Sequence, residues 1–254
     1  MISIIIPTHN RCNELNKCLE SILNQTYKHF EVIVVDDGST DSTSETCQSY
    51  SLLFDLKYIY LSTCSGGPAT PRNIGIQNSK FQWIAFLDSD DVWMPNKLQL
   101  VVDHININSS TEIIFHDFHN VPCFVKPMNN ERLIDLLLKN GNFIINSSVV
   151  VHKKLLFEVD LLDANPKLIS AEDFDLWIRV FNITNNYFYL ENALGKYSYS
   201  SDSISLNYKR KLINLSTLFI KHKSLIISNK NYFYNFFKTF MKYLLLTLIP
   251  KRNV

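Results

Sequence analysis

The chain has 254 residues, 46% of them hydrophobic and 19% charged, a balance that excludes a disordered protein and suits a sizeable core. Its net charge of +1 hides an asymmetry: ten of the 25 basic residues and none of the 24 acidic ones fall in 203–254. The body is acidic and the tail basic, which argues against nucleic acid as a partner. Five scattered cysteines (Cys12, Cys18, Cys47, Cys64, Cys123) show no metal or redox spacing and read as reduced thiols in a cytosolic setting. No run of 18 apolar residues occurs, so no transmembrane helix is expected. The N-terminal apolar run lacks a charged leader and is cut by Pro7, so it reads as a strand rather than a signal peptide.

In chain order, Ser3–Ile6 is a buried strand ending in Pro7-Thr8-His9-Asn10-Arg11. Leu15, Cys18, Leu19, Ile22 and Leu23 follow at helical spacing. Glu31–Val35 is a second strand, stopping at Asp36-Asp37-Gly38-Ser39, and Ser39, Thr40 and Asp41 offer N-caps for a helix running to about Leu53. A third strand, Leu56–Leu61, leads through a loop to a helix opening at Arg72-Asn73-Ile74-Gly75. Trp83–Leu87 is the fourth strand. Alternating strands and helices predict a mostly parallel, Rossmann-like α/β sheet over the first 90 residues. Beyond it come a helix after Pro95, a strand at Ile113–Phe115, a helix at Leu133–Asn140 closed by Gly141, and a strand at Ser147–Val151. His116 and His119 flank Asp117, and strand alternation accounts for them without a metal.

The fourth strand ends in Asp88-Ser89-Asp90-Asp91. Such close carboxylates repel, and a divalent cation completed by phosphate is one way to join them; a solvated acidic turn is the other. Thr8, Asn10, Arg11, Asp37, Ser39, Arg72 and Asn73 all sit at strand ends, where open α/β sheets bind ligands. Asp37 can accept a nucleobase N–H and Arg72 can fork onto phosphate oxygens. Neither the dinucleotide fingerprint nor a P-loop occurs.

Five ordered blocks carry a resemblance: Ser3–Arg11, Glu31–Asp41, Pro71–Gly75, Trp83–Trp93 and Glu172–Arg179. Over residues 1–205 the chain resembles the family 2 glycosyltransferases of GT-A fold. The resemblance implies a nucleotide-sugar site of Pro7, Thr8, Asn10, Arg11, Asp37, Ser39, Arg72, Asn73, Asp88 and Ser89. It also implies Mn2+ or Mg2+ on Asp90 and Asp88, and acceptor contacts from Trp93 and Glu172. The matching acid in that family deprotonates the acceptor hydroxyl, a role that falls on Asp173, with Glu172 beside it orienting the acceptor. From spacing alone, Glu172 and Asp173 are equally first-turn acids of an amphipathic helix through Phe174, Trp177, Ile178 and Phe181, with Asp175 and Arg179 an i, i+4 pair. The Arg and His that the family often carries downstream are replaced here by Ser198 and Ser200.

Residues 206–254 interleave aromatics such as Phe233, Phe236, Phe237 and Phe240 with Lys230, Lys238 and Lys242. Such a tail suits the inner face of a membrane or packing on protein. The expected organisation is a GT-A domain at 1–205, split at 92 into donor and acceptor halves, and a helical tail at 206–254. The expected activity is metal-dependent, inverting transfer of a hexosyl or N-acetylhexosaminyl group from a UDP-sugar. The expected acceptor is a lipid-linked glycan of cell-surface polysaccharide synthesis. The alternative is a non-catalytic nucleotide-sugar-binding or membrane-associated scaffold protein.

Overall fold

Ile2–Thr8 (β1) and Phe30–Asp36 (β2) are buried at every position, as expected of central strands covered on both faces. Between them Cys12–Leu23 (α1) buries Leu15, Cys18, Leu19 and Ile22 on one stripe. Thr43–Ser51 (α2) starts after Asp41, whose carboxylate accepts both the N–H and the O–H of Thr43, and stops short of Leu53. Leu56–Tyr60 (β3) leads to Ala69–Asn78 (α3), which begins three residues before Arg72. Pro68 and Pro71 fall at its N-cap and first turn, where a missing N–H costs nothing.

Trp83–Phe86 (β4), Val92–Trp93 (β5) and Lys97–Ile107 (α4) come next. Ile113–Phe118 (β6) runs three residues further than its apolar core, taking in His116, which is buried against Phe118. Leu133–Asn140 (α5) ends at Gly141, whose φ of 83° is the left-handed conformation that glycine permits. The segment expected as a strand from Ser147 opens instead as a 3-10 turn, Asn146–Ser148, before Val150–His152 (β7). Lys153–Glu158 (α6), a 3-10 turn at Pro166–Leu168, Glu172–Ile183 (α7) and Tyr187–Lys196 (β8) follow. Tyr208–Ile227 (α8) and Lys230–Leu248 (α9) close the chain.

This computed structural model describes residues 1–121, 125–128, 131–197 and 208–248. Cys123, Ser198, Ser200, Lys251 and Arg252 lie outside the described residues. The strands form one sheet in the order β3-β2-β1-β4-β7-β6-β8-β5. β3, β2, β1 and β4 are mutually parallel, as are β6 and β8, whereas β7 runs against both β4 and β6 and β5 against β8. The chain lays β2 and β3 on one side of β1, then returns to lay β4 on the other. Such a reversal marks the usual ligand position in open α/β sheets, outside the carboxyl ends of β1 and β4.

Two compact units result. The first, Met1–Phe124, Ile144–Leu162 and Asn186–Ser198, holds the whole sheet. The second, Val125–Phe143, Asp163–Asn185 and Tyr199–Val254, holds α5, α7, α8 and α9. Within it Phe219 packs on Phe233 and Phe236, Tyr208 stacks on Tyr243, and the Tyr232 hydroxyl donates to Asp135 of α5.

The glycine of Pro71–Gly75 has a packing reason. A Cβ there would stand 2.4 Å from Ile5 Cγ2 on buried β1, and a β-branched side chain has little freedom to withdraw. Gly75→Ala should therefore lower stability by about 1–3 kcal/mol, read from urea unfolding midpoints.

Candidate active site

The site grows from three adjacent strand ends in the first unit. β1 ends at Thr8, and His9 and Asn10 then turn the chain, with Asn10 at a φ of 49°. Asparagine tolerates that left-handed position better than most residues. The turn is tied to the end of β2: the Asn10 N–H donates to Ser39 Oγ (2.7 Å) and the Thr40 N–H to Asn10 Oδ1 (2.8 Å). His9 Nδ1 bonds the Asp37 carbonyl at 2.8 Å.

The two acids ending β2 have different duties. Asp36 is buried and accepts from the Tyr58 hydroxyl (2.6 Å) and the Ser39 N–H (2.8 Å), which holds the Gly38 turn. Burial and then this bond push the Tyr58 hydroxyl above its ordinary pKa. Asp37 is 5% exposed and accepts the Ser65 N–H (2.8 Å), the Ser65 hydroxyl (2.9 Å) and the Cys64 thiol (3.4 Å). It thereby draws the 62–68 loop onto the rim. Thr8 Oγ1 is buried there with no partner among the described residues.

At the end of β4, Asp88 and Asp90 each meet a guanidinium. Arg72 Nη2 donates to Asp88 Oδ1 at 2.6 Å, and Arg11 Nη1 donates to Asp90 Oδ2. Arg72 is almost fully buried, while both acids keep a partly exposed face. Burial and the neighbouring Asp88 push the Asp90 carboxyl up, and Arg11 only partly offsets them. No group of three His, Cys, Asp or Glu stands together among the described residues. The two partly exposed carboxylates fit a hard dication that takes one or two carboxylates and completes its shell with phosphate and water. Asp91, 1% exposed, closes the turn with its N–H on the Asp88 carbonyl.

Two expected site residues are otherwise engaged. Asn73 clamps the Leu162 backbone, donating to its carbonyl (2.8 Å) and accepting its N–H (3.0 Å). Trp93 is 3% exposed, its indole N–H donates to the Ser147 carbonyl (2.8 Å), and Lys97 Nζ lies 3.5 Å over its ring. Ser89 is buried, as is Pro7 within β1. Ser147, by contrast, joins the site unforeseen: its hydroxyl accepts the Asp88 N–H at 3.0 Å across 59 residues of sequence.

Glu172 and Asp173 belong to the second unit, in the first turn of α7. Glu172 is 4% exposed. Asp173 accepts its neighbour's N–H, Phe174, at 2.7 Å on one oxygen and the Asn142 amide at 2.9 Å on the other. Asn142 also went unforeseen, being 31 residues away with no motif around it. Asp175 points the other way and is fully buried, with Arg179 as its i, i+4 partner at 2.7 Å.

The family model described as Glycosyl transferase family 2 matches residues 3–163. An uncharacterized glycosyltransferase of Rickettsia bellii is 34% identical over 199 residues, covering 74% of this chain and 28% of that protein. The glycosyltransferase GlyA of Streptococcus pneumoniae is 26% identical over 249 residues, covering 91% and 35%. The chain thus spans well under half the length of these two relatives. Among solved structures, Staphylococcus aureus TarS 1–349 with UDP-GlcNAc superposes with a TM-score of 0.69 at 24% identity, covering 86% of this chain and 66% of that one. The mannosyltransferase PcManGT from Pyrobaculum calidifontis, with GDP-Man and Mn2+, gives 0.67 at 16% identity, covering 88% and 64%. The fold is of the GT-A type.

Asp175 supplies a pH test. Burial opposes its ionisation, but His222, Arg179 and Lys221 outweigh that and hold its carboxyl down at about 2. A depressed carboxylate stabilises the fold above its unfolded pKa near 3.9, and the contribution is lost as pH falls through the folded value. Between pH 5 and 2 the wild type should lose on the order of 2 kcal/mol more stability than Asp175→Asn, measured by denaturant unfolding at each pH.

Proposed function

Because the chain belongs to glycosyl transferase family 2, we propose that it moves a hexosyl or N-acetylhexosaminyl group from a UDP-sugar to a glycan hydroxyl with inversion. The observation that carries this reading is the acid pair Asp88 and Asp90, each met by an arginine, just past the end of β4, beside β1 where the strand order reverses. The choice of UDP draws on TarS, solved with UDP-GlcNAc, and the choice of a divalent metal on PcManGT, solved with Mn2+.

Thr8, with its unpartnered buried hydroxyl, and Asp37 receive the base and ribose. Asn10 and Ser39 hold the turn that shapes this rim. Arg11 and Arg72 present their guanidinium forks to the diphosphate oxygens. Asp90 and Asp88 would hold Mn2+ or Mg2+, which would supply neutralisation of the charge on the leaving diphosphate. In the transfer, the anomeric carbon's bond to the diphosphate oxygen breaks as a bond to the acceptor oxygen forms on the opposite face. The acceptor proton passes to Asp173, with Glu172 orienting the acceptor. Asn73 and Trp93 enter this reading as supports, since their polar groups are committed to backbone.

The tail adds the acceptor's setting. Tyr234, Phe237 and Leu245 stand 64%, 54% and 58% exposed along α9 at i, i+3 and i+11, edged by exposed Lys238 and Lys242. Among the described residues no helix is long and apolar enough to cross a membrane. An exposed apolar stripe with lysines beside it suits anionic headgroups at the inner face of a membrane, where a lipid-linked glycan would be met.

The deciding experiment is a panel of nucleotide-sugars with Mn2+ and a membrane extract, scored for nucleotide release and glycan product. A UDP-sugar should turn over. Asp90→Asn should lower kcat about 10²–10³-fold, and Asp173→Asn about 10²–10⁴-fold. Donor binding without turnover of any sugar would leave the scaffold reading. For the tail, Tyr234→Ser with Phe237→Ser should release the protein from vesicles containing phosphatidylglycerol, measured by flotation. Unchanged flotation would assign this face to protein packing.

A further inference from the structure

Asp175 has more cations than one carboxylate needs. Besides Arg179, it accepts from Lys221 Nζ at 2.9 Å and from His222 Nε2 at 2.8 Å, both on α8. All of this happens two residues from Asp173 on the same helix. A buried carboxylate held by several cations is costly to build and costly to break, since removing a partner leaves charge in a dry site.

Further contacts follow α8 along the segment that leads into α7. Lys221 also bonds Asp163 at 2.6 Å. The Asn214 amide donates to the Ile169 carbonyl (3.1 Å) and reaches Ser170 Oγ (3.3 Å). Arg210 Nη1 donates to the Pro166 carbonyl at 2.9 Å. Ser170, held by Asn214, has a φ of 68°, a conformation costly for a non-glycine residue and kept only where surroundings fix it. α8 itself departs from helical geometry at one position, His222 (φ −109°, ψ 20°), the residue on Asp175. Helices that merely cover a core do so with apolar stripes. Here directional polar bonds from three turns of one helix converge on 163–175.

We infer that α8 is a brace that sets the position of the Asp173 carboxylate, with Asp175, Lys221 and His222 as its positioning residues; this rests on Asp173 being the acceptor base. α9 reinforces the same point from the other side. Tyr232 bonds Asp135 of α5, and Asn142, just past the end of α5, holds Asp173. The basic tail is thus part of the acceptor machinery, and what binds the tail bears on the base.

The test uses the full chain, comparing Lys221→Met, His222→Gln and the pair with Lys221→Arg and with Ile220→Ser, an exposed position of α8. Displacing a catalytic group by about 1 Å costs up to about 10²-fold in rate. The pair should lower kcat for transfer at least tenfold, while the Kd for UDP by calorimetry changes less than twofold, because Thr8 and Asp37 belong to the other unit. Amides of 163–178 should lose hydrogen-exchange protection, Lys221→Arg should restore most of the rate, and Ile220→Ser should resemble wild type. Full kcat in the pair would overturn the brace. So would loss of UDP binding in parallel, which would assign these contacts to folding alone. Wild-type turnover by Asp173→Asn would instead remove the base reading, and the brace would then fail as a positioning device even if exchange protection changed.

Discussion

Carboxylates at the ends of buried elements must find cations or donors, and most of the polar construction here answers that demand. Asp88 and Asp90 repel one another at the mouth of the sheet, and Arg72 and Arg11 are drawn to them from α3 and from the turn after β1. That pairing fixes where the first helix can start and how α3 must lie, so that Gly75 has to pass Ile5 without a side chain. Burial and the neighbouring Asp88 still leave the Asp90 carboxyl pushed up despite Arg11. The Thr8 hydroxyl at the same rim is buried without a partner among the described residues, so the proposed diphosphate site lies where the polar groups are least settled.

Neighbouring acids in the sequence divide between holding and receiving. Asp36 is enclosed by Tyr58 and Ser39 and keeps the turn in shape, whereas Asp37 is loaded by the Ser65 loop and stays at the rim. In α7, Asp175 is buried against Arg179, Lys221 and His222, while Asp173 accepts from the Asn142 amide and the Phe174 N–H.

Period and punctuation made the first half of the fold legible. β1, α1 and β2 follow directly from apolar spacing, and the strand-end acids from the abrupt stops at Pro7, Asp36 and Asp88. Partners remote in sequence were not legible. Ser147 looked like a strand residue and is instead the hydroxyl that receives the Asp88 N–H, because a 3-10 turn interrupts the run. Trp93, an acceptor contact by resemblance, is the second residue of the two-residue strand β5, where its indole bonds Ser147 and lies under Lys97, contacts that no local pattern announces. The long strand β8 carries no sharp alternation, since its first residues are only half-buried and its end is irregularly paired with β6. Local pattern encodes burial well and long-range hydrogen bonding hardly at all.

The tail shows the same limit most clearly. Composition alone gives an aromatic, basic segment, and two uses compete for it. The folded hairpin separates them by face. Phe219, Phe236, Tyr232 and Tyr243 pack within the second unit, while Tyr234, Phe237 and Leu245 are left outside. The lysines separate likewise: Lys221 is sequestered on Asp163 and Asp175, and Lys238 and Lys242 border the outer stripe. A segment that needed only to reach a membrane would have no reason to place Lys221 and His222 on a buried acid. A segment that only packed would have no reason to leave large aromatics in water. Both features lie on one hairpin: the bonds to Asp175 come from α8 and the exposed stripe from α9, and the rings of Phe219 and Phe236 pack the two helices together.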